Sequence, residues 1–309
     1  MTRPSAIFAL LTAGLCWGTT GIYVRILGER GFSSLELLGI RLLVVFIILV
    51  PIVLHPQIRR SSVFMGLSAP QRNVALKVSL LMLFYYLGAI LAIQHLPLIL
   101  AVLLFGSSPL IAWSLGLILA RRLPDNTERG QSLGVLLGTL GLLGLAYSKH
   151  SGSMAPEGAI PLLGYAGGIT AAMVTVVNAR ILRRSGVSAP SSVSISLTTA
   201  TLGTVLVPLL FIESVGLLDR VQGSFFMLLG FGIVATLIPG FAIVYAGSRL
   251  PATATSTVSI QLQVWTVILG WLVLNETLSV TQITAAISVM LGTAICLLPS
   301  RGKVTDRHD

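Results

Sequence analysis

The chain has 309 residues, of which 54% are hydrophobic and only 10% charged, with a net charge of +10 and a mean hydropathy of +0.93. Soluble domains carry about 25% charged residues, so a water-soluble enzyme or nucleic-acid module is excluded and a lipid bilayer is the expected solvent. The basic excess then belongs to cytoplasmic loops, not to a nucleic-acid-binding face.

Apolar runs of about 20 residues, the length a span needs, recur along the whole chain. The first half holds five: Ile7–Leu27, Leu35–Leu54, Val74–Ile93, Leu98–Ala120 and Gly130–Tyr147. The second half holds five more: Ala159–Leu182, Val193–Ile212, Phe225–Gly247, Ala252–Leu274 and Val280–Leu298. Little sequence remains for loops, so no soluble domain is expected. The fold class is all-α integral membrane, with ten transmembrane helices.

Lys and Arg placement orients these spans. With the N-terminus inside, all of the 20 Lys and Arg except Arg25, Arg30, Arg41, Lys149 and Arg220 fall in inner segments. Both termini are therefore expected in the cytoplasm.

Three short words recur at one near-constant offset. "RIL" stands at Arg25–Leu27 and Arg180–Leu182, "LP" at Leu96–Pro97 and Leu250–Pro251, and "LGT" at Leu137–Thr139 and Leu291–Thr293. Fixed-period self-similarity marks a repeat. The units are residues 5–148 and 157–299. Five spans is an odd number, so the second unit starts from the opposite side of the membrane. The halves are then inverted repeats, an architecture recurrent in secondary transporters.

Small residues at i, i+4 let helix backbones approach closely. Gly14 and Gly18, Gly134 and Gly138, and Gly164 and Gly168 have this spacing. They serve either plain packing or a sliding seam between the halves. Pro109 in the fourth span and Pro239 with Gly240 in the eighth are expected helix breaks, because proline leaves a carbonyl without its helical donor.

The ninth span opens unusually polar, "ATATSTVSIQLQVW". Thr253, Ser256, Thr257 and Gln261 share one helical face, and Gln263 follows. They line a cavity or serve as glue between helices. Ser107 of the fourth span matches Gln261 at the repeat offset. Trp17, Tyr85, Tyr86, Asn178 and Tyr245 complete the candidate cavity set. Arg25 and Arg41 are the deepest charges. Either their side chains snorkel to the interface, or a guanidinium meets an anionic group of a substrate.

None of the ten acidic residues falls at a midplane, which disfavours a carboxylate proton relay and export of bulky cations. The four histidines (His55, His95, His150, His308) lie at span ends, in loops or in the tail, and H-E-x-x-H is absent. Cys16 and Cys296 sit in apolar runs and read as small buried hydrophobes. No cofactor or metal is expected.

The stretches "LLTAGLCWGTTGIYVRIL", "LGIRLLVVF" and "VILGWLVLNETLSVTQITAAISVMLGTAI" resemble the EamA family of the drug/metabolite transporter superfamily. The resemblance covers about residues 5–299. Glu276 stands at the family's Gly-Glu of the second repeat, with Asn275 for the glycine; in the first repeat Arg121-Arg122 replaces the pair. The resemblance implies ten helices, a central cavity and a multi-pass protein of a bacterial-type inner (plasma) membrane. It also implies export of amino acids or related metabolites.

The leading reading is therefore an exporter working by alternating access. A carrier of nucleotide sugars, lipid-linked or toxic compounds is the alternative within transport. A membrane-embedded enzyme is the distant one. The expected partners are a small-molecule substrate and the lipid bilayer, not nucleic acid, with the protein a monomer or homodimer.

Overall fold

A computed structural model describes residues 3–54, 68–121, 129–147, 161–184, 192–205, 216–247, 258–275 and 278–297. Among the described residues the chain is helical, with no strand. Its helices are α1 (Arg3–Gly18), α2 (Thr20–Glu29), α3 (Ser34–Leu54), α4 (Ala69–His95), α5 (Leu98–Gly106), α6 (Ser108–Ala120) and α7 (Arg129–Tyr147). There follow α8 (Pro161–Arg184), α9 (Ser192–Thr204), α10 (Leu217–Gly223), α11 (Phe225–Gly232), α12 (Ile238–Gly247), α13 (Val258–Leu274) and α14 (Val280–Leu297). A π-helical stretch, Ile233–Leu237, joins α11 to α12.

Six helical stretches are long and apolar enough to cross a membrane: Pro4–Glu29, Ser34–Pro51, Ala69–His95, Leu98–Ile118, Pro161–Leu182 and Phe225–Ile243. Two shorter apolar ones are Ile260–Leu274 and Val280–Cys296. Large apolar side chains such as Phe8, Ile118, Leu162, Phe226 and Trp271 are exposed on the outside of the bundle. An apolar exterior of this kind is stable only against lipid.

Three helices start with the same device. Ser33, Ser68 and Ser279 each donate their backbone N–H to the side chain three residues on (Glu36, Gln71 and Gln282), and each serine hydroxyl accepts that residue's N–H in return. These capping boxes satisfy donors at a helix start that the helix itself cannot. The signal, Ser-x-x-Glu/Gln before an apolar run, is plain in the sequence.

Three spans are interrupted. The first breaks at Thr19, whose N–H reaches toward both Leu15 and Cys16 carbonyls and whose hydroxyl donates to Cys16 O at 2.7 Å. Such back-bonding bends helices. The fourth breaks at Ser107 rather than at Pro109 itself. Pro109 lies in the first turn of α6, where its missing N–H is tolerated. The hydroxyl of Ser107 turns back to donate to Leu104 O at 2.6 Å. In the apolar stretch Phe225–Ile243, Pro239 and Gly240 are inside α12, and the irregular stretch lies just before them at 233–237. The expected break is thus displaced by a few residues, because proline disturbs the turn that precedes it.

Helix pairing is matched between the halves. In the first half's terms, α7 packs on α14, α3 on α9, and α5 on α13. The pairing of α4 with α8 has its counterpart in α12 with α1, and α1 with α13 in α8 with α5. Exchanging first-half for second-half spans maps these main pairings onto themselves.

Glycines sit where they meet. A Cβ on Gly88 of α4 would come 2.5 Å from the Gly167 carbonyl of α8, and one on Gly167 would come 2.6 Å from the Gly88 carbonyl. Gly134 faces Gly292 and Ile295 of α14, while Gly14 and Gly18 face Gln261 and Trp265 of α13. Gly138 faces Leu110 of its own half and also abuts Gly292 of α14; Gly164 and Gly168 face Leu96 and Leu104 of the other half.

Two positions where the resembled family carries glycine have left-handed backbone. Arg121 has φ of 49° and Asn275 φ of 52°, each just past the end of its helix, α6 and α13. They are separated by the same offset as Leu137 and Leu291. A left-handed residue commonly closes a helix, and glycine bears it without strain. Asparagine tolerates it better than arginine does. Arg121→Gly is expected to raise stability by about 1 kcal/mol and Asn275→Gly by less. Gly167→Ala is expected to destabilise by about 1–3 kcal/mol, whereas Gly116→Ala, with open space around it, does not. Unfolding of purified protein in detergent, by heat and by denaturant, checks all four.

Candidate central cavity

Between the halves lies a cavity of about 410 Å³. Its walls come from six places. The break of the first span gives Trp17, Thr20 and Gly21; α3 gives Arg41; α4 gives Met82, Tyr85, Tyr86, Ala89 and Ile93. The break of the fourth span gives Gly106 and Ser108, with Val102 and Phe105 of α5; α8 gives Thr175, Asn178, Ala179 and Leu182; α13 gives Leu262 and Thr266. Both α5–α6 and α1–α2 bend at the cavity, so broken backbone lies where it can face a polar space rather than lipid.

Arg41 is the charged residue among those walls. It is 2% exposed. Nη2 donates to the carbonyl of Ala235 at 3.0 Å and Nε to the Thr236 hydroxyl at 2.5 Å. Ala235 is four residues before Pro239, which has no N–H to give that carbonyl as a regular helix would. The arginine supplies the missing donor. Its guanidinium carbon also lies 4.5 Å from the Tyr86 ring centroid and 4.7 Å from that of Phe231. Aromatic faces attract a cation, the more so when it is desolvated.

Asn178 is 7% exposed, and neither atom of its amide has a hydrogen-bond partner among the described residues. A buried amide left without partners costs about 1–3 kcal/mol. Its cavity position lets water or a solute meet it. The hydroxyls of Thr175 and Thr266, by contrast, are used on backbone carbonyls of Ala171 and Leu262.

The expected cavity residues divide as follows. Trp17, Tyr85, Tyr86 and Asn178 line the cavity. Arg25 does not: it is buried, and its Nη2 donates to Leu96 O at 2.9 Å. Leu96 is extended between α4 and α5, so its carbonyl has no partner within a helix. Neither snorkelling to water nor solute contact describes this arginine. Ser107 sits at the break, but its hydroxyl is turned onto Leu104 and only its neighbours reach the cavity. Tyr245 pairs its hydroxyl with that of Ser5 at 3.0 Å and belongs to a separate cluster with Ala6, Leu10 and Ala246. Gln261 packs on Gly14 and Gln263 on Gly106; these contacts place them between helices, outside the cavity walls. Thr253, Ser256, Thr257 and Glu276 lie outside the described residues. Gly240 lines a separate void of about 20 Å³ with Tyr86 and Thr236.

Arg41 had been one of two equivalent deep charges. Its distinguishing signal was the pairing with Pro239 across the two halves, which spacing along the chain does not encode.

At one end of the bundle, two arginines bridge the halves. Arg220 Nη2 contacts Glu36 Oε1 at 2.7 Å, and Nη1 donates to the carbonyl of Gly31. Its guanidinium lies 5.4 Å from the Phe32 ring. Arg30 Nη1 donates to Gly223 O at 3.2 Å and to the Ser224 hydroxyl at 3.1 Å. Glu36 therefore both caps α3 and holds α10.

An apolar-surfaced helical bundle around a mostly apolar cavity is the form of a multi-pass membrane protein. The chain matches the EamA-like transporter family twice, over residues 4–147 and 159–298; it belongs to that family and is a transporter of the drug/metabolite type. A solved crystal structure of a protein shares its fold at a TM-score of 0.59 and 19% identity, covering 95% of this chain and 96% of that one. No curated protein matches.

The unpartnered amide gives a test that separates function from folding. Asn178→Leu is expected to leave stability unchanged or raise it by about 1 kcal/mol, because a buried polar group without partners is removed. Solute binding is expected to fall at least severalfold. Denaturation and binding measured on the same preparation check this.

Proposed function

We propose that the protein is a secondary transporter of an inner (plasma) membrane that exports amino acids or related small metabolites by alternating access. In this reading residues 5–148 and 157–299 are inverted five-helix repeats, with both termini in the cytoplasm. The observation that carries it is that the cavity's walls come from both halves. A solute held there touches both, so a rocking of one half against the other changes the side to which it is open.

Family membership, the matched helix pairings and the Lys/Arg distribution support the same reading. So does the glycine-lined seam, where the backbones of Gly88 and Gly167 approach closely. The Glu36–Arg220 clasp then closes the outer end, and its release opens that end. An ion pair with one well-buried partner and several added hydrogen bonds is a fit candidate for a bistable contact.

Two measurements test this. Proteoliposomes are expected to show saturable counterflow with members of an amino-acid and metabolite panel; folded protein giving no flux across a broad panel refutes the proposal. Arg220→Gln is expected to speed hydrogen exchange in the turn at residues 30–33 by at least tenfold, as local opening becomes easier. Unchanged exchange there removes the clasp from the mechanism.

A further inference from the structure

We infer that the cavity selects an organic monoanion: a carboxylate held by Arg41, with an apolar or aromatic body against the surrounding walls. This narrows the transport reading above from amino acids to related metabolites that carry a carboxylate and no ammonium, and rests on that reading for the cavity's role, though not for its chemistry.

Charge balance carries the argument. A guanidinium stays protonated at any pH a protein meets. Burying a charge is costly unless it is paired. The partners that hold Arg41 are a carbonyl, a hydroxyl and two aromatic faces. All four fix the group in place, and none carries a compensating negative charge. Glu36, a buried acid, is engaged with Arg220. No acidic residue is among the described cavity walls.

A solute with one negative charge neutralises the site. A zwitterion brings an ammonium that finds no carboxylate among those walls, and a cation is repelled. Nη1 of Arg41 has no partner among the described residues, so it and the adjoining Nη2 edge remain for the paired hydrogen bonds that a carboxylate accepts.

The remaining walls define the rest of the solute. Met82, Ile93, Val102, Phe105, Leu182 and Leu262 are apolar. Tyr85 and Tyr86 stand edge to face, with ring centroids 5.5 Å apart. The cavity accommodates a solute of about a dozen non-hydrogen atoms. Asn178 offers one donor group and one acceptor to a neutral polar substituent, such as a hydroxyl or keto group.

Four probes of one skeleton isolate the charge: 3-phenylpropanoate, 3-phenylpropanamide, L-phenylalanine and 2-phenylethylamine. Their affinities are measured by titration calorimetry on the full chain in detergent. The propanoate is expected to bind at least about tenfold tighter than each of the others. Arg41→Lys keeps the charge and loses the fork, and is expected to weaken the propanoate about tenfold. Arg41→Gln removes its advantage over the amide. Asn178→Ala is expected to keep the order of the four.

Equal or tighter binding of L-phenylalanine or the amide overturns the inference, as does failure of all four to bind. Should the Arg41 variants not fold, the order of the four probes on the unaltered chain decides alone. Binding in the expected order without counterflow of 3-phenylpropanoate or any panel member refutes transport and leaves the cavity chemistry standing. Flux of other solutes with the wrong order does the reverse.

Discussion

One guanidinium inside an apolar bundle has to be held by groups that the bundle can spare, and the contact of Arg41 with Ala235 meets that constraint. Pro239 takes a donor away from a carbonyl deep in the eighth span; Arg41, from the second span, returns one. The Thr236 hydroxyl and the rings of Tyr86 and Phe231 complete the setting. A lipid-solvated protein has no water to spend on either partner. The charge and the broken helix are therefore stable only together. The arrangement also joins the two halves and places the charge at the cavity wall.

Around that point the scaffold is symmetric and the cavity is not. Helix pairings are preserved when the halves are exchanged, and left-handed Arg121 and Asn275 close equivalent helices. The breaks at Thr19 and Ser107 have no counterpart in α8 or α13, which run continuously. Symmetric packing fixes where the helices go. Departures from it decide which backbone and which side chains reach the solute space.

Three of the arginines outside the expected inner segments find structural partners. Arg25 holds the extended turn at Leu96, Arg30 the start of α11, and Arg220 both the Gly31 turn and Glu36. Each satisfies carbonyls or a carboxylate at an irregular backbone segment. Their placement follows hydrogen-bond demand at chain turns rather than topology alone. Leu96, extended just before Pro97, has a carbonyl that accepts from Arg25.

Composition and hydropathy determined the helical, membrane-embedded class, because no other solvent tolerates so apolar a chain. Short words at one offset pointed to a duplicated unit, the mid-span position pointed to Trp17, and Tyr85, Tyr86 and Asn178 stood beside it in the candidate cavity set. Period and spacing report which face of a helix a residue occupies. They do not report which helix that face meets. Gln261, Gln263 and Tyr245 were for that reason indistinguishable from cavity residues until packing placed them against Gly14, Gly106 and Ser5. The same limit made Arg25 and Arg41 look equivalent. Only the tertiary structure separated them, by bringing one to the carbonyl of Leu96 and the other to the carbonyl left open by Pro239, in the other half of the chain.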